Sequence, residues 1–143
     1  SIALACQSEL ARHGVTVLMS RAKDEDESLT EKINECNAFD PDLALDIHNN
    51  AGGGDGYEAL VYSEKRKALG QVFEKHVKAI GQNSRGVKYR PGLVVLRDTN
   101  MPAVLNEGAF VDNKKDIEDW NDDAELKKLG IAYAKAAAEF LKA

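Results

Sequence analysis

Pro41-Asp42-Leu43-Ala44-Leu45-Asp46-Ile47-His48-Asn49-Asn50-Ala51 is a short apolar run that ends in a histidine and two asparagines. Gly52, Gly53 and Gly54 follow at once. A short apolar run bounded by turn residues reads as a buried strand. His48 then sits at the carboxyl end of that strand, the edge of an open α/β sheet where ligands bind. Pro102-Ala103-Val104-Leu105-Asn106-Glu107-Gly108 repeats the design, an apolar run closed by one ionisable residue and a glycine. A histidine and a glutamate at the carboxyl ends of two strands point to a site, and the rest of the chain reads as its frame.

The flanking segments alternate in type. Ile2, Cys6 and Leu10 form one helical stripe that stops at Gly14, and Val15 to Met19 is a β-branched strand. Ser28-Leu29-Thr30-Glu31 has the form of a capping box and opens a helix that ends near Asn37. Tyr57 to Tyr62 is a further strand, and Ser63 caps a long helix with Leu69, Phe73 and Val77 inward. Asn83 to Pro91 reads as a basic loop, Leu93 to Leu96 as a fourth strand, and the Glu107 strand as the fifth. A short helix is expected near Ile117, and Asp122 or Asp123 caps the last helix. This order predicts a single α/β domain over residues 1–143, with a mixed central sheet and helices on both faces.

With 143 residues, one domain is the prior, and the composition (43% hydrophobic, 30% charged) is that of an ordinary soluble domain. The net charge of -5 argues against nucleic acid, whose backbone calls for a basic face. No apolar run is long enough to span a membrane, and no signal peptide is visible. Cys6 and Cys36 lack C-x-x-C spacing, so buried free thiols are the default, with a disulfide between their helices as the alternative.

The chemistry of His48 stays open between metal ligand, general base and core histidine; the polar and glycine-rich sequel favours an open cleft. A glutamate after Ala103-Val104-Leu105 is costly to bury unless paired or employed. Desolvation raises a carboxyl pKa, which suits a general acid or base near neutrality. Catalytic zinc takes three protein ligands and a water, with a nearby glutamate accepting the proton. His13 precedes its strand and belongs at the wrong edge, and His76 lies between Lys75 and Lys78 in a solvated position. Residue spacing alone therefore yields half a metal site. Arg85-Gly86-Val87-Lys88 has the charge to contact an anionic substrate, but a plain surface loop is the favoured reading.

The ordered set of motifs resembles the zinc-dependent N-acetylmuramoyl-L-alanine amidases of the family 3 type, found among bacterial autolysins and phage endolysins. Asp42 to Ala51 is similar to the family pattern Ala-Asp-Leu-x-x-Ser-Ile-His-x-Asn-Ala, and Gly56-Tyr57-Glu58 to its Gly-x-Glu. Arg85 to Lys88, Leu96-Arg97 and Met101 to Phe110 complete the likeness. Asp46 stands where the family usually has serine, and Asn106 where it has an apolar residue. The resemblance implies that His48 is a zinc ligand, Glu107 the catalytic glutamate and Asn50 a substrate contact. It implies Zn2+ as cofactor and peptidoglycan as partner. The implied enzyme is a monomer at the cell wall, secreted or released by phage lysis, that hydrolyses the amide between N-acetylmuramic acid and L-alanine. The alternatives are an inactive wall-binding module on the same fold or another zinc peptidase. The family's Gly-His-Gly-Gly strand and a following glutamate ligand are not in these residues. The expectation is that an N-terminal strand and two metal ligands lie outside them, and that the 143 residues alone hold zinc weakly.

Overall fold

The computed structural model describes residues 2–19, 29–50, 56–110 and 123–142. Its elements run α1 (Ile2–Arg12), α2 (Leu29–Phe39), β1 (Ala44–Asn50), β2 (Tyr57–Val61), a 3-10 turn (Glu64–Arg66), α3 (Lys67–Ala79), β3 (Ser84–Tyr89), α4 (Val94–Arg97), β4 (Ala103–Phe110) and α5 (Asp123–Lys142). Among the described residues the strands form one sheet in the order β1-β4-β2-β3. β1 runs parallel to β4 and β2 parallel to β3, while β2 and β4 are antiparallel. The sheet is therefore mixed, as the sequence predicts.

Alternation along the strands divides the core in two. Tyr57, Ala59 and Val61 of β2 and Val104 of β4 face the larger cluster, where Cys6 and Leu10 of α1, Phe73 and Val77 of α3, and Leu129 and Tyr133 of α5 meet them. Leu60, Ala103 and Leu105 face the other way and pack with Leu93, Val95 and Leu96. On that second face α2 is tied to the chain leading into β4: Asn37 Nδ2 donates to the Asp98 carbonyl at 2.9 Å, and the Asn100 amide donates to Asn37 Oδ1 at 2.9 Å. Cys36 Sγ lies 3.7 Å from Met101 Sδ, and both cysteines are free thiols. Burial pushes the Cys6 thiol up to about 12, so it is an inert core group.

Four local expectations differ from the structure. Leu93 to Leu96 is not a strand: Val94–Arg97 is a helical turn, with the Leu96 and Arg97 amides donating to the Leu93 carbonyl at 3.1 and 2.9 Å. A four-residue apolar run has no periodicity to separate the two states, and here it serves as a plug over Leu60 and Leu105. The basic stretch is not a loop, because Ser84–Tyr89 is the edge strand β3. Charged residues are common on such edges because they discourage pairing with another chain. Val15 to Met19 keeps a strand's alternation, with Val15 and Val17 against the core and Thr16 and Leu18 exposed, but it joins no ladder among the described residues. Ser63 precedes the 3-10 turn without a side-chain capping bond. The proposed cap at Ser28, the glycines 52–54 and the short helix near Ile117 lie outside the described residues.

α1 and α5 pack closely against each other. A Cβ at Gly130 would stand 2.5 Å from the Ile2 carbonyl oxygen and 2.8 Å from the Ala5 Cβ. Backbone cannot swing aside as a flexible side chain can, so any larger residue drives the helices apart. Gly130→Val should cost about 1–3 kcal/mol, the usual penalty for overpacking. Denaturant unfolding of the two proteins measures it, and an unchanged midpoint would contradict this account of the helix contact.

Candidate functional site

The topology brings four strand ends to one edge of the sheet. β1 and β4 are parallel, so His48 and Glu107, each closing an apolar run, arrive at the same level and are direct partners in the register. β2 runs against β4, so its beginning reaches that edge, and Glu58 is the register partner of Glu107 on the other side. β3 runs with β2 and delivers Arg85 beside it. Asp46, Glu58 and Glu107 alternate with core-facing neighbours, which places them with His48 on the face that carries Leu60 and Leu105.

Each side chain has a defined environment. His48 is 52% exposed, and its Nε2–H donates to Asp46 Oδ1 at 2.9 Å. That hydrogen bond raises the imidazole pKa; burial opposes the rise, and the charges of Asp46 and Glu107 add to it. The charge of Lys32 in α2 works against them. Glu58 is only 9% exposed, and Arg85 Nε donates to its Oε1 at 2.9 Å, which offsets the cost of burying its charge. Glu107 is half-buried, and desolvation raises its pKa. The Glu58 carboxylate raises it further, while His48 and Arg90 pull it down. The arrangement holds a carboxyl whose proton affinity is tuned upward next to a solvent-facing imidazole.

The other sequence candidates fall elsewhere. Asn50 follows His48 in β1 with its backbone opposite Phe110; its side chain lies outside the described residues. His13 caps the end of α1 and bonds Glu9 at 3.1 Å. His76 is less solvated than expected, lying 3.1 Å from Glu139 in a cluster with Lys75. Asn106 faces the opposite side, fully buried, where its Oδ1 accepts a hydrogen bond from the Tyr57 hydroxyl. The polar departure at Asn106 thus has a polar partner in the core. Sequence reasoning gave Glu58 no role. Its signal was a lone carboxylate in Tyr57–Val61, a strand buried at every position.

A metal site needs a donor set. His48 suits a ligand, because an exposed imidazole with one nitrogen held by a carboxylate has the orientation and tautomer of metal-binding histidines. Among the described residues no group of three or more histidine, cysteine, aspartate or glutamate side chains is gathered to hold a metal ion. The residues present therefore fit one corner of such a site.

If Glu58 sets the proton affinity of Glu107, its neutralisation has a predictable sign. Glu58→Gln removes a like charge and frees Arg85 to act on Glu107, and both changes lower the Glu107 pKa. The acid limb of the pH–activity profile should move to lower pH in this variant. An unmoved limb, or one displaced upward, would count against the coupling.

The chain matches the N-acetylmuramoyl-L-alanine amidase family model over residues 1–139. It is 36% identical to the N-acetylmuramoyl-L-alanine amidase CwlM of Bacillus licheniformis over 128 residues, 87% of this chain and 50% of that protein. It is 33% identical to the endolysin of Bacillus phage SPP1 over 141 residues, 92% of this chain and 52% of that protein. The chain thus spans about half the length of these curated relatives. Among solved structures, the catalytic domain of the amidase CwlV from Bacillus (Paenibacillus) polymyxa var. colistinus superposes with a TM-score of 0.91 at 26% identity, covering 99% of this chain and 81% of that one. Cwp6 from Clostridium difficile gives a TM-score of 0.91 at 31% identity, covering 96% of this chain and 24% of that one. The chain belongs to the N-acetylmuramoyl-L-alanine amidase family.

Proposed function

From this family membership, we propose that the chain is the catalytic part of a zinc-dependent peptidoglycan amidase acting at the cell wall. The bond cut is the amide between N-acetylmuramic acid and L-alanine. The observation that carries the reading is the in-register pairing of His48 with Glu107, with Glu58 flanking the glutamate. Its further support is the family itself, including relatives named as an amidase and as an endolysin. No described helix is long and apolar enough to cross a membrane.

In this reading His48 holds the zinc, oriented by Asp46. Further ligands, two by the family resemblance, come from outside the described residues. β1 ends the sheet among the described strands, and its Leu45 and Ile47 are only half-buried, which leaves room for one more strand beside it. Bound zinc would supply a Lewis acid for the scissile carbonyl and an acidified water. Glu107 accepts the proton of the attacking water and passes it to the leaving amine of L-alanine. Its half-buried seat and the Glu58 charge favour that traffic, because a carboxylate with raised proton affinity is the stronger base.

Two variants of the complete protein test the assignments. Glu107→Gln should keep fold and zinc and lose turnover by at least ~10²-fold, the lower range for a positioned acid or base. Near-normal release of stem peptide from purified wall would remove Glu107 from the mechanism. His48→Ala should lose stoichiometric zinc and activity together. One tightly held zinc per chain after dialysis, by elemental analysis, would place the metal elsewhere.

A further inference from the structure

The edge strand β3 carries charge that the proposed chemistry does not use. Arg85 is engaged by Glu58. Lys88 lies farther along the same side of the strand, since it is the register partner of Leu60 and Leu60 shares its face with Leu105 and Glu107; Arg90 follows directly after the strand, its amide donating to the Val61 carbonyl at 2.8 Å. No carboxylate bonds Lys88 among the described residues, and Arg90 donates through Nη1 to the Tyr89 carbonyl at 2.9 Å. The guanidinium of Arg90 nonetheless reaches Glu107 electrostatically. In a chain of net charge -5, an acidic floor of Asp46, Glu58 and Glu107 is thus bordered by a cationic edge.

We propose that β3 reads the stem peptide of the substrate, with Lys88 and Arg90 receiving a carboxylate several residues beyond the scissile amide. The inference rests on the amidase reading and names what that site selects. The register gives the distance. Lys88 is two strands across from Glu107 and two residues along, which is about 12 Å at ordinary strand spacing and rise; Arg90 is about 16 Å away. An extended peptide covers about 3.3–3.6 Å per residue. A carboxylate roughly three to five residues past the cut amide therefore comes within reach of these two cations. The charge pattern also sets direction. The cations of the β3 edge attract the anionic end of a peptide, so the stem runs from Glu107 outward across β2 toward β3. Gly86, at φ 95, lies where the β2–β3 register shifts. That irregularity lets Arg85 pair with Glu58 while Lys88 keeps to the same face.

The test uses the complete protein with Glu107→Gln, so that the ligand is not consumed. N-Acetylmuramoyl tetrapeptide with a free terminal carboxylate and its carboxamide are titrated by calorimetry. The acid should bind roughly fivefold tighter than the amide, the scale of a partly exposed ion pair. Lys88→Ala with Arg90→Ala should erase the difference, and Lys88→Arg with Arg90→Lys should keep it. Equal affinities for acid and amide, a preference that survives the double alanine variant, or no binding of either ligand would overturn the proposal. Glu107-intact protein is assayed on purified wall alongside. Release of L-alanine amines there with equal acid and amide affinities defeats only the β3 proposal, whereas no release defeats the amidase reading itself.

Discussion

The constraint on which the site depends is the parallel, in-register pairing of β1 with β4. Parallel neighbours point their carboxyl ends the same way, so two apolar runs that each end in an ionisable residue deliver those residues to one edge. Register then decides whether the residues meet. His48 opposite Glu107 puts backbones about 4.8 Å apart with both side chains on the same face. A slip of one residue would turn one of them into the core among Val104 and Tyr133. The hydrophobic pattern holds the register, since Leu45 and Ile47 must face the large cluster together with Val104.

The electrostatics follow from that placement. Three carboxylates and one imidazole share a short length of sheet, and each is managed by a different partner. Arg85 neutralises Glu58, Asp46 and His48 bond each other, and Glu107 is left half-buried without a bonded cation among the described residues. Desolvation and Glu58 then push its proton affinity up. A raised proton affinity in a half-buried carboxyl is what a general acid or base working near neutrality needs.

Much of this was legible in the sequence, for physical reasons that differ by element. β1 and β4 announced themselves because buried strands closed by a charged residue and glycine have few other readings. The amphipathic helices α1, α3 and α5 repeat their apolar residues at helical spacing over three turns or more. The failures came where a segment was short or its partner was distant. Leu93 to Leu96 is as apolar as a strand, and only the tertiary position over Leu60 makes it a helical turn. Ser84–Tyr89 reads as a loop because it is charged and carries a glycine, and only its place at the edge of the sheet makes it a strand. Glu58 was visible as a carboxylate in an apolar strand, but its role depends on an antiparallel register with β4 that no local pattern encodes. Val15 to Met19 has a strand's alternation, and whether such a segment joins a ladder depends on a neighbour, not on its own residues.

The central claim is that this edge of the sheet hydrolyses the lactyl amide of the wall and no other bond. The direct measurement is to digest purified peptidoglycan with the complete protein and identify the new termini by amine labelling and a reducing-sugar assay. The account predicts new L-alanine α-amines in step with solubilisation and no new reducing ends. New amines from other residues of the stem peptide, new reducing sugars, or wall binding without any new terminus would contradict it.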